Sequence, residues 1–177
     1  VIVMPSDAPE IKRANTLALG AEVVPYDRWT ESREEIGTRL AEERGLTLIK
    51  PYDEPQVIAG QGTCGLEIAE QAREEGVKTA DVLVCCGGGG LTSGIALALE
   101  AEAPGLRARP VEPEGFDDTA RSLRSGHVET NTAASGNICD AILTPAPGQI
   151  TFPILNRLCG PGLVVGEDEA LHAMSLA

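Results

Sequence analysis

Val82-Leu83-Val84-Cys85-Cys86-Gly87-Gly88-Gly89-Gly90-Leu91-Thr92-Ser93-Gly94 is the stretch that decides how this chain folds. An apolar run leads into four consecutive glycines and then into a segment rich in alanine and leucine. This order predicts a buried strand, a loop without side chains, and a helix. Four glycines in a row lower stability through backbone entropy, and close approach of a ligand to the backbone gives a reason for them.

The ligand that such a loop favours is an anion. The N–H groups of the loop, together with the unpaired N–H groups and the positive dipole end of the following helix, form a site for phosphate. The alternative is a plain turn between a strand and a helix, but a turn of that kind does not need four glycines. We therefore predict that Gly87, Gly88, Gly89 and Gly90 bind a phosphate group.

Composition narrows the possible partners. The 177 residues contain 14 Lys and Arg against 27 Asp and Glu, a formal net charge of -13. This charge repels nucleic acid and anionic membrane surfaces at long range. No apolar run approaches the roughly 20 residues of a membrane-spanning helix, and the first residues lack the pattern of a signal peptide. We expect a cytoplasmic protein that binds neither nucleic acid nor membrane.

The five cysteines indicate neither a disulfide framework nor a zinc site. They are odd in number and contain no C-x-x-C spacing. Cys85 and Cys86 are adjacent on a predicted strand, so their side chains point to opposite faces. We expect free or buried thiols.

The first part of the chain alternates strands and helices in the manner of a parallel sheet. Strands are predicted at residues 1–4, 21–24 and 46–49. A helix begins near Pro9 with Ser6 or Asp7 as its cap, and a second helix runs from about Thr30 to Gly45. The linker at residues 51–55, with two prolines, predicts a boundary between domains at residues 1–53 and 54–177.

The second part continues the alternation. Helices are predicted at residues 64–75, 91–102, 117–125 and 150–158, and a last helix begins at Glu167. Strands are predicted at residues 106–112 and 163–165. Pro110 removes a hydrogen-bond donor from its strand, which predicts an edge position or an irregularity. Pro153 is tolerated only if it lies in the first turn of its helix.

Six segments, in this order and at about this spacing, resemble one enzyme family. The chain is similar to the fold-type II pyridoxal-phosphate enzymes of the serine/threonine dehydratase and serine racemase group. The segments are Ile2-Val3-Met4-Pro5, Leu19-Gly20-Ala21-Glu22-Val23-Val24, Ile58-Ala59-Gly60-Gln61-Gly62-Thr63, Gly87-Gly88-Gly89-Gly90-Leu91, Val111-Glu112-Pro113-Glu114-Gly115 and Glu167-Asp168-Glu169.

The resemblance implies two partial α/β domains with open parallel sheets, as in tryptophan synthase β-like enzymes. Residues 1–53 would be the remainder of the smaller domain and residues 54–177 the first part of the larger one. The backbone of Gly87, Gly88, Gly89, Gly90 and Leu91 would bind the phosphate of pyridoxal 5'-phosphate. The implied reaction is deamination of threonine or serine by β-elimination, which gives a 2-oxo acid and ammonia, in a homodimer.

The lysine that binds the cofactor covalently in this family has no counterpart among the matched positions. Lys12, Lys50 and Lys78 are the lysines of the chain, and none lies in the family's lysine motif. The motif would precede Val1. We therefore assign no catalytic residue to this chain, and we expect these 177 residues to be an inactive fragment by themselves.

A divalent cation lies beside the cofactor in some family members. The resemblance implies that its ligands in this chain would be Glu112, the carbonyl of Phe116, and Asp118. Two carboxylates and a carbonyl, completed by water, suit Mg²⁺ or Ca²⁺. The alternative is a solvated acidic turn in which Asp117 or Asp118 caps a helix.

Two other classes of function stay open from the sequence. A non-catalytic module could use the same glycine loop to bind a phosphorylated metabolite or a nucleotide, although the loop lacks the G-x-G-x-x-G spacing of dinucleotide-binding domains. The segment could also serve as an interaction scaffold.

Overall fold

The computed structural model describes residues 1–133 and 135–177. The chain forms two compact units, Val1–Ile49 and Lys50–Ala177, and each contains a parallel sheet with helices. The predicted α/β class with parallel sheets is confirmed. The assignment of residues 1–53 and 54–177 to the smaller and larger domains of the family stays a prediction. None of the helices in the described residues has the length and apolar character needed to cross a membrane.

The first unit is a two-stranded parallel sheet with two helices. Its core contains Tyr26, Ile36 and Leu40, with Val3 and Val24 packed against them. The elements are β1 (Ile2–Pro5), α1 (Glu10–Ala18), β2 (Val23–Tyr26) and α2 (Arg33–Arg44).

The predicted strand at residues 46–49 is wrong. These residues have no strand structure, and the sheet of this unit consists of β1 and β2 in the described residues. A strand is defined by its pairing with a neighbour, and an apolar run carries no information about whether a neighbour is present. The side chain of Leu48 instead lies close to Gly37 of α2, where an added Cβ would be 3.0 Å from Leu48 Cδ1.

The helix ends of the first unit also differ in part from expectation. Neither Ser6 nor Asp7 caps α1, because the Ser6 hydroxyl donates to the carbonyl of Tyr26 and Asp7 pairs with Arg28. Helix α2 begins at Arg33, where the Ser32 hydroxyl accepts a hydrogen bond from the Glu35 N–H. Its predicted end at Gly45 is confirmed, with a left-handed backbone at that glycine.

The second unit is a three-stranded parallel sheet with five α-helices and one 3-10 helix, Asp140–Ile142, in the described residues. Its core gathers residues of α4, α6 and the sheet, among them Leu99, Leu155, Val84 and Ala108. The elements are α3 (Pro55–Glu74), β3 (Ala80–Cys85), α4 (Gly90–Glu102), β4 (Leu106–Pro113), α5 (Asp118–Ser125), α6 (Thr151–Leu158), β5 (Leu163–Val165) and α7 (Glu167–Leu176).

Strand β4 is central in the described sheet, so the edge position predicted from Pro110 is wrong. The Val111 carbonyl accepts from Cys86 N–H on the side of β3, and the Ala108 carbonyl accepts from Gly160 N–H on the other side. Because hydrogen-bonding groups alternate sides along a strand, the nitrogen of Pro110 faces the side of Gly160. Pairing with β5 begins only at Val111, so no ladder bond is lost there.

Helix α3 begins at Pro55 and not at residue 64 as predicted. Gly60 and Gly62, which precede the predicted start, both lie inside the helix. Helix α3 packs closely on α4, where a Cβ on Gly65 would lie 2.7 Å from Ala98 Cβ. A Cβ on Gly94 of α4 would lie 2.5 Å from the Ile58 carbonyl oxygen. Glycine in these helices therefore permits close packing. The predicted place of Pro153 in the first turn of α6 is confirmed.

Replacing Gly94 with alanine tests this contact. Gly94→Ala should lower the free energy of unfolding by about 1–3 kcal/mol, because the new methyl group overlaps backbone atoms of α3. Gly60→Ala is the matched control, since nothing lies within 4 Å of its added Cβ. It should raise stability by about 0.5–1 kcal/mol. Urea unfolding followed by circular dichroism measures both, and equal effects of the two substitutions would contradict the packing described.

Candidate functional site

The four-glycine loop connects the end of β3 to the start of α4. Strand β3 ends at Cys85 and helix α4 begins at Gly90. Gly89 is the N-cap of α4, and its φ of 92° lies in the left-handed region that side chains disfavour. A strand, a bare loop and a helix therefore follow each other as the sequence predicts.

The carbonyl groups of the loop are bonded within the protein. The Gly88 carbonyl accepts from the Thr151 hydroxyl at 2.6 Å and from the Gly148 N–H at 3.1 Å. The Gly89 carbonyl accepts the N–H of Ser93 as the first bond of α4. The first N–H groups of a helix have no intrahelical acceptor, and in α4 they belong to Gly90 and Leu91 among others. These two carbonyls are thus occupied within the protein, whereas the first N–H groups of α4 have no acceptor inside the helix.

Residues of two segments, Tyr52 and helix α6, crowd three of the glycines. A Cβ on Gly88 would overlap the ring of Tyr52, and a Cβ on Gly90 would lie 2.9 Å from Tyr52 Cα. A Cβ on Gly89 would lie 2.7 Å from Leu155 Cδ1 and 3.1 Å from Thr151 Cβ. Each of these three positions must therefore be glycine.

Asp53 fixes the segment that faces the loop. Its Oδ1 accepts hydrogen bonds from the N–H groups of Ile150 at 2.8 Å and Thr151 at 3.3 Å. A Cβ on Gly148 would overlap the same carboxylate. The sequence analysis missed Tyr52 and Asp53, because it treated residues 51–55 only as a linker. It also missed Thr151. No local pattern marks Thr151 as a partner of a glycine 63 residues earlier.

A second cluster lies at the end of β4. The Glu112 side chain is fully buried and accepts hydrogen bonds from the N–H groups of Thr119 at 2.9 Å and Ala120 at 2.7 Å, in the first turn of α5. Burial raises the pKa of Glu112 to about 7 against the lowering effect of these two bonds, and the nearby charge of Asp118 raises it further.

Asp118 completes this cluster. Its side chain is fully buried, its Oδ1 accepts from the Asn131 amide at 2.5 Å, and its Oδ2 has no hydrogen-bond partner in the described residues. Burial raises the pKa of Asp118 to about 6, although the Asn131 bond lowers it. Phe116 lies in the turn between the two acids, with its N–H bonded to the Pro113 carbonyl.

One buried oxygen of Asp118 lacks a partner in the described residues, whereas both oxygens of Glu112 already accept hydrogen bonds. A buried carboxylate oxygen without a partner is costly, and a cation beside it would satisfy it. No group of three or more His, Cys, Asp or Glu side chains suited to a metal occurs in residues 1–133 and 135–177. A cation at this place would therefore need backbone carbonyls or water in addition to Glu112 and Asp118.

The two clusters lie at the same edge of the sheet. Strands β3 and β4 are parallel neighbours, so the loop after β3 and the acids after β4 both follow carboxyl ends of strands. In open α/β sheets this edge is where ligands bind. Cys86 connects the clusters, with its Sγ 3.7 Å from Thr119 Oγ1.

Comparison with known proteins identifies the class to which this fold and site belong. The model of the family described as "Pyridoxal-phosphate dependent enzyme" matches residues 1–177. The chain belongs to this family. The resemblance found in the six sequence segments is therefore confirmed.

The relatives differ from one another in the activity that their names give. The chain is 45% identical to L-threo-3-hydroxyaspartate ammonia-lyase of Saccharomyces cerevisiae and 40% identical to serine racemase of Schizosaccharomyces pombe, over 98% of this chain and 52% of each relative. The crystal structure of a threonine deaminase from T.th. matches with a TM-score of 0.88 and 44% identity, over 98% of this chain and 56% of that one. The chain thus spans about half the length of these relatives.

Alkylation of the cysteines tests the burial of the site. Burial raises the pKa of Cys86 to about 12 and that of Cys159 to about 11, and the charge of Glu112 adds to the effect at Cys86. At about pH 8 both thiols are almost entirely protonated and therefore unreactive. Cys64 is exposed and serves as the control. Iodoacetamide followed by mass spectrometry should label Cys64 in the native protein, and Cys86 and Cys159 only in denaturant. Rapid labelling of native Cys86 would contradict the structure.

Proposed function

We propose that this chain supplies the phosphate-binding part of a pyridoxal-phosphate-dependent lyase that deaminates threonine or serine by β-elimination. The observation that carries the proposal is the loop Gly87–Gly90, which is kept free of side chains at the N-terminus of α4. The match of the whole chain to the family supports the cofactor. Hydroxy amino acids appear in the names of several relatives, which supports the substrate class.

The residues of the loop are suited to a cofactor phosphate. An added Cβ at Gly88, Gly89 or Gly90 would meet protein atoms, so each of these positions requires a bare backbone. Gly87, Gly88, Gly89, Gly90 and Leu91 would donate their N–H groups to the phosphate oxygens, and the dipole of α4 would favour the negative charge. Bound pyridoxal phosphate supplies an electron sink for loss of the α-proton and the β-hydroxyl.

The proton transfer itself is not assigned to a residue of this chain. Lys12 lies in α1, Lys50 begins the second unit, and Lys78 precedes β3, at the end of the strand opposite to the glycine loop. We infer that the loop residues hold and orient the cofactor, and that none of these three lysines performs the proton transfer. A cytoplasmic location and assembly as a homodimer stay predictions.

A divalent cation at Glu112, the Phe116 carbonyl and Asp118 is part of the same proposal. The unpartnered Oδ2 of Asp118 and the two buried carboxylates support it. Such a cation would neutralise the acids beside the cofactor edge of the sheet and stabilise the turn between β4 and α5. The nucleotide-binding alternative has no support from the relatives named above.

Cofactor binding tests the proposal. The protein, expressed with the sequence that flanks it in its gene, should bind pyridoxal 5'-phosphate and release ammonia from threonine or serine. Gly88→Val should weaken cofactor binding at least about tenfold, because the new side chain overlaps Tyr52 and disturbs the N–H groups of the loop. Gly60→Ala, at an open helical site, should leave binding unchanged. Retention of a nucleotide with no affinity for pyridoxal phosphate would refute the proposed function.

Thermal unfolding tests the cation. Mg²⁺ or Ca²⁺ at about 100 times its dissociation constant should stabilise the protein by about 2.7 kcal/mol, and a chelator should reverse this. Asp118→Asn should abolish the effect because it removes a charged ligand. Asp117→Asn is the matched control, since Asp117 pairs with Arg121 at 3.3 Å and is not in the ligand set. Equal stabilisation of wild type and Asp118→Asn would place the cation elsewhere.

A further inference from the structure

The peptide between Gly88 and Gly89 is held by a contact from a distant helix. Thr151 begins α6, is fully buried, and donates its hydroxyl proton to the Gly88 carbonyl at 2.6 Å. The Gly148 N–H donates to the same carbonyl from the turn before the helix. Both donors lie about 60 residues away in sequence, so the loop does not set this orientation by itself.

The orientation of this carbonyl determines where a donor points. A trans peptide is planar, so the carbonyl of Gly88 and the N–H of Gly89 point in opposite directions. A carbonyl fixed toward Thr151 therefore aims the Gly89 N–H to the other side of the loop. Without that contact, a run of four glycines has many accessible backbone conformations.

Asp53 in turn holds Thr151 in place. Its Oδ1 accepts from the N–H groups of Ile150 and Thr151, which orients the first residues of α6 toward the loop. A Cβ on Gly148 would overlap the Asp53 carboxylate, so this turn lies directly against it. The chain of contacts runs from Asp53 to Thr151 and from Thr151 to the Gly88 carbonyl.

We propose that Thr151 and Asp53 are positioning residues for the phosphate group of the cofactor: they fix the Gly88–Gly89 peptide so that its N–H points at the phosphate. This inference rests on the proposed function of the loop. Both side chains act through the backbone of the loop and not by contact with the phosphate. Their effect is to prepare the loop before the ligand arrives, which improves affinity by reducing the entropy lost on binding.

Comparison of two ligands tests the role. Pyridoxal 5'-phosphate and pyridoxal differ by the phosphate group, so a residue that positions the phosphate site should affect the first and not the second. Thr151→Val keeps the shape of the side chain but removes the hydroxyl. It should raise the dissociation constant of pyridoxal phosphate about tenfold and that of pyridoxal less than about twofold. Thr151→Ser, which retains the hydroxyl, should restore most of the affinity.

Two further variants complete the experiment in the protein expressed with its flanking sequence. Asp53→Ala should also weaken the binding of pyridoxal phosphate more than that of pyridoxal. This variant tests the proposal if Thr151→Val does not fold. Thr16→Val is the control, because that hydroxyl also donates to a backbone carbonyl, in α1 at 2.8 Å. It should change neither dissociation constant.

The outcomes separate this inference from the proposed function. A wild-type protein without affinity for pyridoxal phosphate would refute the function of the loop. If the wild type binds, an equal loss for both ligands in Thr151→Val and Asp53→Ala would show a merely structural role and overturn the inference. Unchanged affinity for pyridoxal phosphate in folded Thr151→Val or Asp53→Ala would also overturn it.

Discussion

The absence of side chains along Gly87–Gly90 is the constraint on which the second unit depends. Tyr52, Leu155 and Thr151 approach these glycines so closely that three of the four positions have no space for a Cβ. The same closeness allows α6 and the segment before α3 to pack around the loop. The glycines are therefore needed both for the proposed ligand site and for the close packing of the second unit.

The parallel sheet brings the two candidate sites together. The glycine loop follows β3 and the acids Glu112 and Asp118 lie at the end of β4, and these strands are neighbours. In the proposed function the loop donates N–H groups to an anion, whereas the buried carboxylates bind a cation. Opposite charges can therefore be held at one edge of a single sheet, in a chain whose own net charge is -13.

The sequence was sufficient for the loop, the family and most of the elements, because glycine runs and apolar periodicity are local. It failed where a distant partner decides the outcome. Residues 46–49 are mostly apolar but do not pair as a strand. Pro110 is tolerated in the central strand β4 because pairing with β5 begins one residue later, at Val111. Gly60 and Gly62 resemble a loop although they lie within α3. Thr151 could not be found, because only the folded chain brings it to Gly88.

The most direct test of the central claim is the NMR spectrum of the loop amides. Pyridoxal 5'-phosphate added to the ¹⁵N-labelled protein, expressed with its flanking sequence, should shift the amide protons of Gly87–Leu91 downfield, as expected for N–H groups that donate to phosphate oxygens. Pyridoxal without the phosphate should leave them nearly unchanged. Saturation of the protein with the cofactor without any change at these amides would contradict the assignment of the loop as the phosphate site.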